Sequence, residues 1–487
     1  MIKKLIVFPM LLTMCVAGAK NIDGKVSGYV FRDSNGNGVM DAGEQGIAGI
    51  LVSNQKEIVK TSADGKYEIS VQGRKTVYVV KPSDYGIAKY YVNIEELKDG
   101  RHDFAMVPKA VKKEFKTLMV GDPQMRTDTV LHCFQEDIVT EMLNYDVDFA
   151  MILGDVADND LSIYPKEKML VSKLPYPVYR VFGNHDTDYK AASVEDQAGV
   201  FINHYGPDYY SFNEGDVHFI VLDNIYYQGW DNEKNKQGSY FGALSETQYN
   251  WLEADLSHVG NDKLLVLCMH IPLLEQYSYQ KDIRRIFSLL DGRPHLLALS
   301  GHLHAMENYF FKPETNWNAT AKFQNVTVGA ACGSWWSGPM DERGLPVATC
   351  TDGAPNGYFE FTFSGNSYDY RFIPANHRED FQMRLTVHGD KLYANIFSAT
   401  KEAEVVAVID GGEPCVMKNV REKDPFILST YDKRWNFDNW QPNMQETEHL
   451  WSMTLPALPA GVHHIKVTGV DANGKTYVAH KLLKTGK

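Results

Sequence analysis

Short apolar runs, broken by polar and glycine-rich clusters, recur along the whole chain, and their character changes twice. From residue 20 to 108 the runs are brief and β-rich: Lys25–Phe31, Ile47–Val52, Lys66–Val71 and Thr76–Val80, with connections at Asn54–Gln55 and Ala63–Gly65. β-Branched and aromatic residues between turn residues specify strands. From 115 to about 372 the pattern alternates between strand and helix. Thr117–Val120, Phe149–Leu153, Val178–Phe182, His218–Leu222, Lys263–Cys268 and His295–Ser300 read as strands. Leu131–Leu143 and Ser245–Leu256 read as helices, the second opened by Ser245 with Gln248 three residues on, the spacing of a capping box. From 376 to 487 β character returns in Phe381–Val387, Lys391–Phe397, Glu404–Ile409 and His463–Thr468, with turns at His388–Asp390 and Asn473–Gly474. The pattern predicts a multidomain α/β plus β chain. Its central layered β-sandwich/α domain is flanked by two small all-β, sandwich-like domains.

A length of 487 residues suits about three domains, and 44% hydrophobic with 23% charged residues is a globular composition. The net charge of −13 argues against non-specific nucleic-acid binding, which needs positive surface. An acidic protein that handles phosphates must supply positive charge locally, as bound metal ions do. Lys3 and Lys4 precede the apolar stretch Leu5–Val16, and Ala17–Ala19 offers small residues for cleavage. Residues 1–19 therefore read as an export signal, placing the mature protein in the periplasm, on the cell surface or outside the cell. Bulky Met14 before Cys15 does not favour a lipid anchor, and no later stretch is long and apolar enough for a transmembrane helix. Of the remaining cysteines, Cys133 and Cys268 sit in apolar contexts as packing residues. Cys332 and Cys350 are candidates for a disulfide in an oxidising compartment.

Five polar clusters interrupt the central apolar runs: Asp122-Pro123-Gln124, Gly154-Asp155, Gly183-Asn184-His185-Asp186, His270 and Gly301-His302-Leu303-His304. Most fall just after a predicted strand, as expected for a site at strand carboxyl ends. Each alone has an ordinary explanation, such as a core histidine, a helix cap or a solvated loop. Together, and in this order, they supply hard oxygens and imidazoles for a two-metal site.

The clusters resemble the motifs of the calcineurin-like metallophosphoesterases, D-x-H, G-D, G-N-H-[DE], H and G-H-x-H, over most of residues 115–310. The three-part layout is similar to exported bacterial members with added β domains at both ends. The resemblance implies hydrolysis of phosphate mono- or diesters at two divalent transition metal ions (Mn, Fe or Zn), with a bridging hydroxide as nucleophile. By position, Asp155 would bridge the metals. Asp122 and His304, with Gln124 beside them, would hold one, and Asn184, His270 and His302 the other. His185 would face the substrate and protonate the leaving oxygen, with Asp186 orienting it. The chain departs from the pattern at Gln124, where imidazole is usual, which puts direct ligation by that side chain in question. It also lacks, near Asp158, the tyrosine ligand of purple acid phosphatases, which argues against a ferric tyrosinate centre.

Two further features stand outside these motifs. Asp33, Asn35, Asn37, Asp41 and Glu44 match the spacing of a calcium loop, with Gly38 at its sharp turn. Strand flanks rather than helices make it similar to the calcium-loaded repeats of bacterial surface β-sandwich domains, and it predicts one structural calcium. Tyr226, Trp335 and Trp336, near strand ends, are candidates to stack on a sugar, base or lipid headgroup. Asp352 and Asn356 are candidates to reach a substrate hydroxyl. The partner expected is a small phosphorylated compound carrying a sugar, nucleotide or lipid-headgroup moiety. The rival reading is a non-catalytic surface binding protein that uses the same fold as a scaffold.

Overall fold

The computed structural model describes residues 24–486 apart from 72, 74, 98, 192–195, 232–233 and 431–443. The export segment, with Cys15, lies outside the described residues, as do Trp435 and Trp440. No described helix is long and apolar enough to cross a membrane.

Two sheets form the centre. The first runs Val178–Arg180, Phe149–Ile152, Glu114–Val120, Gly357–Ser364 and Ser367–Pro374 in spatial order. The second runs Tyr210–Glu214, Val217–Val221, Leu264–Cys268, Leu296–Ser300, Phe323–Thr327 and Glu307–Phe310. Phe149–Ile152 pairs in parallel with both neighbours, as do Leu264–Cys268 and Leu296–Ser300 with theirs. Antiparallel strands close the remaining edges. The middle strands are buried at every position, because parallel strands are covered on both faces and read as unbroken apolar runs. An aromatic seam joins the sheets. Phe219 of the second meets Phe149 and Phe363 of the first edge-on, at centroid distances of 5.2 and 5.4 Å.

The helix expected from Leu131 begins earlier, at Asp128, because the Thr127 side chain caps it by accepting from Val130 N. A π-helical turn at Gln135–Val139 interrupts it before it ends at Met142. Glu246–Leu256 starts as predicted, with Ser245 Oγ accepting from Gln248 N at 3.2 Å.

Each flanking region contains two four-stranded sheets around its own core. Val26, Val30 and Phe104 meet Val52, Val77 and Val79 in the first, and Leu392, Ile396 and Trp451 meet Val405, Ile465 and Val467 in the second. The N-terminal region is docked by Gln55, whose Nε2 donates to Asp208 Oδ1 at 2.6 Å, and by a buried Lys81–Glu214 ion pair at 2.9 Å. Cys332 and Cys350 are both buried free thiols, which corrects the expected disulfide. The Cys332 sulfur instead lies against Gly333 O at 3.5 Å and the Cys350 sulfur against Ala330 O at 3.7 Å.

Candidate metal centre

The parallel strands deliver their carboxyl ends to one edge of the sandwich. Asp122 follows Glu114–Val120, Asp155 follows Phe149–Ile152, and Asn184 and His185 follow Val178–Arg180. His270 follows Leu264–Cys268 in the other sheet, and His302 and His304 follow Leu296–Ser300. Four of these side chains, Asp122, Asp155, His302 and His304, stand on left-handed backbone together with Gln124, with φ between 44° and 76°. Such positions are costly for residues with a Cβ, and they gather where surrounding structure holds a functional geometry. Close approach also fixes two glycines. A Cβ on Gly183 would overlap the backbone N and Oδ1 of Asp155, and one on Gly301 would lie 2.7 Å from Asp122 Oδ2.

The polar atoms of the cluster face one another. His270 Nδ1 donates to Leu153 O at 2.8 Å, which turns Nε2 toward Asn184 Oδ1 at 3.0 Å and Asp155 Oδ2 at 3.2 Å. His302 Nδ1 lies 2.9 Å from the same Asn184 oxygen. Asp155, His270 and His302 place one ligand atom each within 4.8 Å of one another. On the other side, His304 Nδ1 donates to Gly333 O at 2.7 Å, leaving Nε2 3.7 Å from Asp122 Oδ1 and 3.5 Å from the Gln124 amide. Gln124 Nε2 donates to Asp155 Oδ2 at 2.8 Å, and its Oε1 is buried without a partner. Lone pairs converging on a shared space, together with an orphaned buried oxygen, are what a cation-binding site requires of its donors. The residues present fit divalent metal ions.

The electrostatics agree. Burial brings His302 down to about 3 and His304 to about 4, so both rings are neutral, as ligation needs. Burial works against ionisation of Asp155, but His270 and His185 outweigh it and hold the carboxyl below its usual range. Burial pushes Asp122 up to about 7. His270 rises to about 9, burial being overcome by Asp155, so without metal a proton occupies that position.

His185 projects from the edge with its Nε2 4.0 Å from Asp155 Oδ2. Its Nδ1 is 3.4 Å from Asp158 Oδ1, an ion-pair separation without a formed hydrogen bond. The Asp186 carboxylate turns away to other groups, which corrects the expected orienting role. It is buried and accepts from Val156 N, Ala157 N, Gly183 N and Tyr164 Oη at 2.9–3.2 Å, tying the turn after Asp155 to the turn that carries Asn184. The residue beside His185 is Asp158, which also meets exposed Arg126 at 3.3 Å.

The substrate candidates divide. Trp335 stacks on His304 at a centroid distance of 3.9 Å and borders the cluster. Trp336 is buried and donates to Pro123 O at 2.9 Å, bracing the Asp122 loop. Asp352 accepts from Met306 N, Ala354 N and His449 Nε2, and Asn356 donates to Ala331 O and Asp137 Oδ2. Both are buried and their partners are protein groups, so the structure does not bring them to the cluster. Tyr226 lies on the far face of its hairpin, against Phe241. Tyr240 and Tyr277, which no sequence motif singles out, set their rings edge-on to His302 at 6.2 and 5.9 Å. The Asp33–Glu44 loop lies in the N-terminal region, away from the cluster. Asp33 accepts from Gly36 N and Gly38 N, and Glu44 from Ser34 N and Asp41 N.

Two facing mixed sheets, with carboxylate, amide and imidazole donors at the ends of their parallel strands, define a metal-binding α/β sandwich. The chain belongs to the calcineurin-like phosphoesterases. Residues 115–306 match the family described as calcineurin-like phosphoesterase, residues 34–109 its N-terminal part and 326–477 its C-terminal part. Membership implies divalent metal ions.

A probable glycerophosphodiester phosphodiesterase of Arcobacter nitrofigilis is 26% identical over 179 residues, 35% of this chain and 59% of the relative. A serine/threonine-protein phosphatase of Pongo abelii is 27% identical over 177 residues, 36% of this chain and 52% of the relative. The chain thus spans between about half and three fifths of the length of these two relatives. Among solved structures, the yellow lupin purple acid phosphatase aligns over 73% of this chain and 68% of its own, with a TM-score of 0.39 and 14% identity.

Proposed function

We propose that the protein is a metal-dependent hydrolase of phosphate esters with a dinuclear centre. The observation that carries this reading is the convergence of carboxylate, amide and imidazole groups from both sheets around Asp155. Asp122, His304 and Gln124 would hold one cation, Asn184, His270 and His302 the other, and Asp155 both. Gln124 would serve through its orphaned Oε1. Two such ions would supply Lewis acidity at the phosphoryl oxygens and an activated water near neutral pH.

The chain's own residues do the rest. Neutral amide and imidazole donors leave net positive charge for an anionic substrate. His185 stands at the open edge, where it can donate a proton to the departing oxygen. Asp158 lies on the Nδ1 side of His185, opposite the Nε2 that would face the reacting group. Trp335 offers a flat face for the organic part of a small phosphorylated substrate.

The names of the relatives include a phosphodiesterase and a phosphatase, so the test uses both ester classes. Matched aryl phosphomonoesters and phosphodiesters are assayed with Mn²⁺, Zn²⁺ or Fe²⁺. Turnover of either class at a rate that depends on added metal supports the reading, and no turnover with any of the three removes it. We also propose export, with mature protein beginning at Lys20, which N-terminal mass analysis of secreted material reads directly; a retained Met1 would refute it. Domain limits at 20–108, 115–372 and 376–487 are proposed because Gly357–Ser364 and Ser367–Pro374 extend the central sheet.

A further inference from the structure

The hairpin formed by Ile225–Tyr227 and Tyr240–Gly242 has two faces. Tyr240 turns toward His302 and the metal cluster. Its neighbour Phe241 and the cross-strand partner Tyr226 turn the other way, because successive strand residues alternate. On that far side lies a cavity of about 770 Å³ between the N-terminal region and the central sandwich. This volume is in the range of small-molecule sites.

One wall is aromatic. Tyr226 and Phe241 stack at 5.1 Å, and Phe241 meets Tyr279 at 3.9 Å. Both tyrosines are exposed, at 37% and 44%. The opposite chemistry is a set of buried acceptors. Gln248 is 2% exposed and spends its Nε2 on Asp223 O at 2.7 Å, which fixes the amide orientation and leaves Oε1 without a partner. Asp282 is 7% exposed; its Oδ1 accepts from Tyr249 Oη at 2.9 Å while its Oδ2 has no partner. Asp208 and Asp223 line the same cavity, buried against each other. Burial and the neighbouring Asp208 push the Asp223 carboxyl well above the carboxylate range.

Buried acceptors without donors call for a ligand rich in hydroxyl groups. The lining carries charges of both signs, Lys56, Lys75 and Lys281 against Asp208, Glu246 and Asp282, so it favours neither an anion nor a cation. An apolar ring face beside hydroxyl-seeking acceptors matches the two surfaces of a pyranose ring. We propose that this cavity is a second ligand site, built for a neutral saccharide, separated from the metal cluster by the thickness of the hairpin. It does not depend on the hydrolytic reading, because none of its residues belongs to the cluster.

The test is calorimetric titration of the full chain, supplied with Mn²⁺, using maltotetraose, cellotetraose, chitotetraose and mannotetraose as probes, with choline and inorganic phosphate as controls. At least one saccharide should bind. Phe241→Ala and Tyr279→Ala should each weaken it by about tenfold or more, the loss of one stacked ring. Aryl phosphate hydrolysis should be unchanged in both. Tyr279 is exposed, so its variant remains informative if Phe241→Ala does not fold. Binding by none of the four saccharides, equal binding by both variants, or binding of choline or phosphate alone would overturn the proposal.

Discussion

At the residue scale, the two carboxylates near His185 have separable roles. Asp158 approaches the imidazole, whereas Asp186 is spent on three backbone N–H groups and a tyrosine hydroxyl. Asp158→Asn should therefore lower kcat by about tenfold, a fraction of the ~10²–10⁴ that a general acid contributes, with little change in Tm. Asp186→Ala strands several buried donors and should cost about 3 kcal/mol of stability, lowering Tm by several degrees. Thermal melts beside steady-state rates distinguish them, and a large rate loss at unchanged Tm in Asp186→Ala would restore the orienting role to that residue. The sequence points to Asp186 because it directly follows His185, whereas Asp158 belongs to the turn after an earlier strand, and which one faces the ring depends on how two turns from different strands pack. The seven candidate ligands were legible because their types and order are restrictive. Asp352 and Asn356 were misplaced for the opposite reason: a turn-rich polar loop has the same appearance whether its side chains face a substrate or tie down backbone.

At the element scale, what makes the centre is strand direction. Parallel pairing sends Asp122, Asp155, Asn184, His270 and His302 to one edge, and left-handed turns then aim the side chains inward. Gly183→Ala tests this without replacing a ligand. Its new Cβ would push into Asp155, and the expected result is loss of bound metal measured by elemental analysis, with far-UV circular dichroism retained. Full metal content in this variant would mean that the turn is looser than the structure indicates. The strands carrying the ligands were readable as apolar runs because both faces are covered. Gly357–Ser364 and Ser367–Pro374 went unread although their aromatic residues are plain, because their place in the first sheet depends on a chain return of more than two hundred residues. Gln280–Leu290 was missed although Ile283, Ile286, Phe287 and Leu290 carry helical spacing.

At the scale of the whole molecule, the flanking β regions are fastened to the centre by polar groups as well as by packing. Glu307, at the start of an edge strand of the second sheet, faces Glu448 of the C-terminal region. Burial first, and then Glu448, raises its carboxyl from 4.5 to about 7. Between these values the folded chain holds a proton that the unfolded chain has released, so this contribution is present at low pH and is lost as pH rises through the window. Glu307→Gln, a neutral mimic, should be more stable than wild type at pH 8 by about 1–3 kcal/mol and no more stable at pH 4. Equal effects at both pH values would show that the carboxyl titrates normally.

The core of the proposed mechanism is that Asp155 joins two metal ions into one hydrolytic centre. It is tested most directly by measuring bound transition metal per chain, together with aryl phosphate turnover, for wild type and Asp155→Asn. Wild type should hold two ions per chain and turn over substrate, whereas the variant should hold fewer ions and turn over roughly 100-fold or more slowly. Unchanged metal content and turnover in Asp155→Asn would contradict it, as would a wild-type protein that binds no transition metal.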